Sequence, residues 1–359
     1  MKILFIVNKD ITLYLFRKEL VTTLLSIGHE IKILTPAGDK IKYFESIGCT
    51  VELYDIDRRG KNPFKEFITI NKYRKVIKDY EPDYIYTYTI KPNLYVGVIS
   101  RFIKIKFIPT ITGLGTELNK KTITSKLIKM LYRFALKKPY NAFFQNEENL
   151  NWFKENIHNK INAILVSGSG VNLKQFSYKE YPNSEITKFL FLGRIMKDKG
   201  IDELIYATKK LKGIYKEKLE VRIAGFYEES YQSQIDELGK NGILEYLGYL
   251  DNTLNVLEDS SAVVLSSYHE GLSNVLLEAQ AVGRPVIASN IPGCKETFIE
   301  GESGYSVEPK NGEDLYIQME KFHLLSYDLK RKMGIVGRAH IEKNFNRDDV
   351  VKKYISVVE

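Results

Sequence analysis

Two successive blocks of short apolar, β-branched runs, alternating with amphipathic, lysine-rich segments, constrain this chain more than any other feature. The first block places strands at Ile3–Val7, Glu30–Leu34, Tyr84–Thr87, Phe107–Thr110, Ala142–Gln145 and Ala163–Val166. A polar, proline-bearing stretch at Tyr181–Ser184 interrupts the pattern, which restarts with Phe189–Leu192, Leu219–Ala224, Ile243–Leu247, Ala262–Leu265 and Val286–Ala288. Parallel neighbours need a long crossover, usually a helix, so this alternation predicts parallel sheets with helices on both faces. Two blocks predict two doubly wound α/β domains facing across a cleft, with the linker between about Val171 and Thr187. The expected division is 1–175 for the first domain, 176–345 for the second, and a final helix over 346–359 that packs back on the first. At 359 residues each half is long enough to bury its own core.

Composition narrows what such domains handle. No apolar run approaches the roughly 20 residues that cross a bilayer, and MKILFIVNKD turns polar too soon for a secretory signal. Cys49 and Cys294, in different expected domains, suggest neither a disulfide framework nor a zinc cluster, which fits a reducing cytoplasm. The net charge of +8 suits nucleic acid, an anionic membrane or phosphorylated small molecules. With no zinc-finger spacing, RNP-like motif or helix-turn-helix pattern, nucleic acid is set aside.

Ligands of open parallel sheets bind beyond the carboxyl ends of the strands, so the chemistry belongs just after strands. Phe189–Leu192 runs into Gly193-Arg194-Ile195-Met196-Lys197-Asp198-Lys199-Gly200, and Ile201, Leu204 and Ile205 then begin a helix. Arg194 offers a fork of donors and Lys199 a point charge, both suited to one diphosphate, although an ordinary basic loop reads the same way. Ala262–Leu265 leads into Ser266-Ser267-Tyr268-His269-Glu270-Gly271-Leu272-Ser273-Asn274 and a helix carrying Val275 to Ala279. Gly271 permits close backbone approach, and Ser273 or Asn274 can cap a helix whose free N–H groups favour an anion. Glu278, about one turn inside, is placed for ribose hydroxyls, and Glu270 for the mouth of the site. The plain alternative is a capped helix with an acidic first turn.

Glu270 and Glu278, with seven residues between them, stand in HEGLSNVLLEAQAVGRPVIASNIPGCKE, which resembles the signature of the family-four retaining glycosyltransferases. GRIMKDKG resembles their phosphate loop, about seventy-five residues earlier. The resemblance implies the GT-B fold, two Rossmann-like domains across a cleft, and a nucleoside diphosphate sugar, UDP being favoured, as donor. It implies Gly193, Arg194 and Lys199 at the diphosphate, Glu278 on the ribose and Glu270 on the donor sugar. Gly271, Leu272, Ser273, Asn274 and Val275 then form the phosphate-binding helix start, and Gly225 and Gly248 resemble turns beside the base. Pro292-Gly293 resembles a loop near the active site, with Glu296 just beyond. Glu270, Arg194 and Lys199 become the catalytic group, with no metal and no cofactor. Charge on the departing diphosphate would be stabilised electrostatically while the acceptor attacks the same face. Double displacement through a carboxylate is the competing mechanism.

Asp55-Ile56-Asp57 has the spacing by which another glycosyltransferase fold holds a metal, but hard-ligand partners are missing nearby, so it is rejected. His269 has no second histidine at ligand spacing and reads as a cleft-lining residue, and His29 as structural.

On the first domain, Tyr88-Thr89-Ile90-Lys91-Pro92-Asn93 and Thr112-Gly113-Leu114-Gly115 read as loops at strand ends. With Arg17, Arg58 and Arg59, residues Lys91, Asn93, Thr112 and Gly113 are expected to hold an anionic acceptor. IKPN and TGLG resemble bacterial enzymes that extend polyprenyl-diphosphate-linked sugars in capsule, lipopolysaccharide or glycan assembly, including diacetylbacillosamine-lipid N-acetylgalactosaminyltransferases. Two departures from the family pattern, the glycine-free Asn8-Lys9-Asp10-Ile11-Thr12 loop and Thr112-Gly113 where relatives carry histidine, leave the sugar contact of this domain open. The segment Lys120–Lys138 carries Ile123, Leu127, Leu131 and Phe134 at helical spacing with seven basic and no acidic residues. It is expected to dock peripherally on the anionic cytoplasmic face of the inner membrane, although packing on the sheet is the simpler use of such a stripe. A GT-B epimerase or a non-catalytic nucleotide-sugar-binding subunit remain the alternatives.

Overall fold

The computed structural model describes residues 1–55, 62–112, 122–137 and 139–359. They form two compact units, Met1–Ser169 with Asp348–Glu359, and Gly170–Arg347.

Among the described residues, the first unit has a seven-stranded sheet: β1 (Lys2–Ile6), β2 (Glu30–Thr35), β3 (Thr50–Leu53), β4 (Tyr84–Tyr88), β5 (Lys106–Ile111), β6 (Ala142–Phe144) and β7 (Ala163–Leu165). Every pairing is parallel and the order is β3-β2-β1-β4-β5-β6-β7. Its helices are α1 (Asp10–Ser26), α2 (Ile41–Ser46), α3 (Pro63–Tyr80), α4 (Ile90–Ile99), α5 (Ile123–Ala135) and α6 (Glu147–Asn156). Side chains of α3, α4, α5 and α6 such as Tyr73, Val96, Tyr132 and Phe153 fill one core, and Leu20 and Leu24 of α1 with Phe44 of α2 fill another. A sheet covered on both faces needs strands apolar on both sides, which is why β1 and β4 read as continuous rather than alternating runs.

The second unit repeats the plan with β8 (Thr187–Leu192), β9 (Leu219–Ala224), β10 (Glu245–Tyr246), β11 (Ala262–Leu265), β12 (Val286–Ser289) and β13 (Gly304–Val307), all parallel, in the order β10-β9-β8-β11-β12-β13. Its helices are α7 (Ile201–Tyr215), α8 (Gln232–Lys240), α9 (Leu254–Asp259), α10 (Asn274–Ala281), α11 (Gly312–His323) and α12 (Tyr327–Asn344). The last helix, α13 (Arg347–Ile355), starts at the final residue of this unit and sends Val350, Val351 and Tyr354 into the core of the first. The Tyr354 ring stacks on Phe143 at 3.8 Å, and Tyr86 Oη donates to the Tyr354 carbonyl at 2.7 Å.

Strand order reverses between β1 and β4 and again between β8 and β11, and at such switch points the loops diverge to leave a crevice at the carboxyl ends.

Four local expectations change. The segment read as a loop from Tyr88 to Asn93 enters α4 at Ile90, and Pro92 is tolerated because first-turn N–H groups have no helical partner. Ile243–Leu247 shrinks to Glu245–Tyr246, and Gly304–Val307 adds a strand too short to show a period. The stretch after Gly170 belongs to the second unit instead of forming a linker. Arg284, 1% exposed, donates to the carbonyls of Lys179 and Glu180 as well as Leu257 and Glu258, so a buried guanidinium pins that stretch in place.

Candidate active site

The loops after β8 and β11 flank the switch point of the second unit, and glycines fix their course. Gly200 has φ +73° and its added Cβ would lie 2.1 Å from the Ser266 carbonyl, so a side chain there would drive the two loops apart. Ser266 Oγ donates to the Gly200 carbonyl at 2.9 Å, tying the end of the first loop to the start of the second. Tyr268 N donates to the Asp198 carbonyl at 2.9 Å and Tyr268 Oη to Glu203 at 2.8 Å, further stitches between them.

This stitching brings Lys199 and Glu270 together. Lys199 Nζ pairs with Glu270 Oε1, both side chains being largely shielded from solvent, and Ser267 Oγ donates to the same oxygen at 2.8 Å. Arg194 is more exposed and lies 3.6 Å from Glu228, while the Lys197 amide donates to Glu229 at 2.8 Å. The loop after β12 closes the other side: Ser273 N donates to the Gly293 carbonyl at 2.8 Å, and Gly293 N donates to Glu296 at 2.7 Å. A Cβ on Gly293 would meet the Gly271 and Glu270 carbonyls at 2.6 and 2.9 Å.

Helix α10 begins beside this cluster, and the Ser273 side chain makes no capping bond to it. Asn274 Oδ1 is buried with no partner among the described residues, so the helix start presents both uncapped N–H groups and an unused acceptor. One turn on, burial pushes the Glu278 carboxyl up to about 7, with the Arg347 guanidinium opposing the rise. Burial also pushes the Cys294 thiol far up, helped by the nearby Glu270 charge, so that thiol is inert. Leu272 and Val275 border the same helix start, both packed on the core of the unit. Gly225 and Gly248 lie at the ends of β9 and β10, joined by a 2.8 Å bond from Gly225 N to the Gly248 carbonyl. His269 is exposed, and no group of three His, Cys, Asp or Glu able to hold a metal occurs among the described residues.

The first unit treats its expected acceptor residues differently. Arg17 is 4% exposed and lies between the Tyr88 and Tyr354 rings, its Nη2 donating to Tyr354 Oη at 3.3 Å, so it packs α13 instead of facing a ligand. Asn93 is likewise buried: its amide donates to the Thr110 carbonyl at 2.9 Å and accepts from Thr87 Oγ1 at 2.6 Å, linking β4 to β5. Both are thus buried and bonded within their own unit, although Arg17 Nε has no hydrogen-bond partner among the described residues. Lys91 pairs with Glu66 at 2.6 Å, and Tyr95 Oη donates to the same carboxylate. Thr112 is half-buried at the end of β5. Arg58, Arg59, Gly113 and the Asp55-Ile56-Asp57 motif beyond Asp55 lie outside the described residues, as do Lys120 and Lys138.

Sequence reasoning missed Ser267, Ser266 and Glu66. For the two serines a signal existed, hydroxyls at a strand end three and four residues before Glu270; Glu66 sits one turn into a helix and carried none.

Comparisons with known proteins place the chain. Residues 174–344 match the model for glycosyl transferases group 1, and residues 2–146 match that for glycosyl transferase 4-like domains. The chain is a glycosyltransferase with a group 1 domain. It is 26% identical over its full length, and over 98% of the relative, to the N,N'-diacetylbacillosaminyl-diphospho-undecaprenol alpha-1,3-N-acetylgalactosaminyltransferase of Campylobacter jejuni. Among solved structures, a glycosyltransferase from Rickettsia africae superposes with TM-score 0.81 at 22% identity, covering 99% of this chain and 97% of that one. HepE of Anabaena, solved in complex with UDP, superposes with TM-score 0.78 at 14% identity over 100% and 99% of the two chains. The fold of this glycosyltransferase is thus that of the GT-B enzymes.

Proposed function

We propose that this glycosyltransferase moves a hexose or N-acetylhexosamine from a UDP-sugar, with retention, to a polyprenyl-diphosphate-linked sugar during surface polysaccharide or glycan assembly. The observation that carries the reading is the convergence of Lys199, Glu270 and the uncapped start of α10 at the switch point of the second unit. An ammonium and a helix start at one place suit a diphosphate, and a carboxylate beside them suits sugar hydroxyls.

In this reading the Lys199–Glu270 pair opens when donor arrives. Lys199 turns to the diphosphate, joined by Arg194, and Glu270, still held by Ser267, accepts from the transferred sugar. Glu278 accepts from the ribose diol. Negative charge grows on the leaving diphosphate as the anomeric carbon gains oxocarbenium character, and the cations with the helix start stabilise it without a metal. The departing phosphate oxygen takes the acceptor hydroxyl's proton. The UDP-bound neighbours and the acceptor named for the Campylobacter relative support the choice of substrates. In the first unit, Lys91 and Thr112, at or just beyond the carboxyl ends of β4 and β5, remain the acceptor candidates.

We read α5 as the segment for peripheral attachment at the cytoplasmic membrane face. Its inward side is Ser125, Tyr132 and Ala135, yet Leu127, Met130, Leu131 and Phe134 are exposed on the outward side beside Lys126, Arg133 and Lys137. A helix resting on a sheet and facing water has no use for that second apolar stripe, whereas an anionic bilayer surface takes both stripe and cations. No helix among the described residues is long and apolar enough to cross a membrane.

The test is mass spectrometry of products from a panel of nucleotide sugars and native lipid extracts, with chelator present and Glu278→Ala as control. A lipid-linked product heavier by one hexose or N-acetylhexosamine, lost in the variant, is expected. Epimerised donor in the absence of lipid, or donor binding without turnover, would overturn the reading.

A further inference from the structure

Two glycines let α12 lie close against α10. A Cβ on Gly334 would meet the Gly283 carbonyl, just past the end of α10, at 2.1 Å, and one on Gly337 would meet Gln280 Oε1 at 2.3 Å. About one turn further along, α12 carries His340. Its Nε2 lies 3.0 Å from the Glu296 carbonyl and its Nδ1 3.1 Å from Asn344 Nδ2, which also donates to the His340 carbonyl at 3.0 Å. An amide nitrogen only donates, so Nδ1 accepts and the ring proton sits on Nε2, from which it is donated to the Glu296 carbonyl.

Glu296 stands in the loop after β12, and that loop hangs between the two helices. Gln280 Nε2 of α10 donates to the Thr297 carbonyl at 2.6 Å, so α10 and α12 grip consecutive residues of it. The Glu296 carboxylate takes the Gly293 amide at 2.7 Å, and the Gly293 carbonyl takes Ser273 N at 2.8 Å. Gly293 also backs directly onto the Glu270 and Gly271 carbonyls, with no space for a Cβ between them. The buried Cys294 beside it lies near enough to feel the charges of Glu270, Lys199 and Glu296. A continuous path therefore runs from the His340 ring through Glu296 and Gly293 to the backbone of Glu270. Neither His340 nor Glu296 has a part in the mechanism above.

We propose that His340 is a positioning residue for the transferred sugar, setting through Glu296 and Gly293 where the Glu270 segment stands, an inference that rests on reading Glu270 as the carboxylate of the donor sugar. A carboxylate displaced by about 1 Å from its transition-state partner loses up to about 10²-fold in rate, so a ring one loop away from the chemistry is felt in turnover. The diphosphate side is held by other bonds, from Ser266 to Gly200 and from Tyr268 to Asp198, which bypass Gly293.

The experiment compares the full chain with His340→Phe, which keeps a ring without the donor, and His340→Gln, whose amide can replace Nε2–H. Three quantities are read: steady-state transfer from UDP-glucose, UDP-galactose and their N-acetylamino counterparts to native lipid extract, UDP affinity by calorimetry, and melting temperature. His340→Phe should lower kcat about ten-fold or more while UDP affinity stays within about two-fold of the parent, and His340→Gln should recover most of the rate. A lower melting temperature with parental kcat would overturn the proposal, because His340 would then serve stability alone. Equal loss of kcat in both variants, or UDP affinity falling as far as kcat, would overturn it as well. Transfer of none of these sugars by the parent, or no binding of UDP to it, would instead overturn the nucleotide-sugar reading.

Discussion

The two units share a sheet plan, but they use the polar residues that the sequence offers as ligands differently. In the second, Lys199 and Glu270 hold each other in a largely shielded pair, and α10 begins without a side-chain cap. In the first, Arg17 is clasped by two tyrosine rings and Asn93 links two strands, so residues that look equally available from their chemistry are committed to the fold. A cation is therefore informative only with its partner known.

The largest expected effect tests that contrast at its strongest point. Lys199→Met should lower kcat/KM by about 10²–10³-fold, the usual cost of removing one transition-state charge contact, and lower the melting temperature by a few degrees because Glu270 loses its counter-ion. Melting curves beside steady-state rates check this; an active Lys199→Met enzyme would dissolve the distinction between the units.

A second, roughly ten-fold effect comes from Glu278. Its folded pKa of about 7 lies above the ordinary carboxyl value of 4.5, so the native state holds a proton that the unfolded chain has lost. The stability this contributes is complete below about pH 4.5 and is lost as pH rises through about 7. Ribose hydroxyls donate to the ionised form, so binding should release a proton, and UDP affinity should rise about ten-fold between pH 6 and pH 8. Glu278→Gln should bind UDP weakly at every pH yet melt above the parent at pH 8. Calorimetry in two buffers of different ionisation enthalpy would read the proton release, and a pH-independent affinity in the parent would remove Glu278 from the ribose.

What was legible in the sequence follows the same division. Strands buried on both faces must be apolar throughout, so most of both sheets could be read directly, and Gly200 in the loop after β8 stands where a side chain would meet the Ser266 carbonyl. Gly304–Val307 escaped for lack of length, and Tyr88–Asn93 was misread because a proline in a first turn looks like a loop. The buried bonds of Arg17, Asn93 and Arg284 join residues far apart in the chain, and local pattern carries no trace of them.

The smallest effect is also the closest test of the first unit. Asn93 and Lys91 are two residues apart, one buried and doubly bonded, the other held in a largely shielded pair with Glu66. Asn93→Ala strands the Thr110 carbonyl and the Thr87 hydroxyl, costing about 1–3 kcal/mol of stability. The melting temperature should fall by about 2–4 °C per kcal/mol in a unit of this size, while acceptor KM stays put. Lys91→Met should do the reverse, lowering melting less than Asn93→Ala because Tyr95 Oη still donates to the Glu66 carboxylate, and raising acceptor KM a few-fold. Were Asn93→Ala to raise acceptor KM at unchanged stability, the buried amide would have to reach substrate, and the first unit would be using its strand ends as the second does.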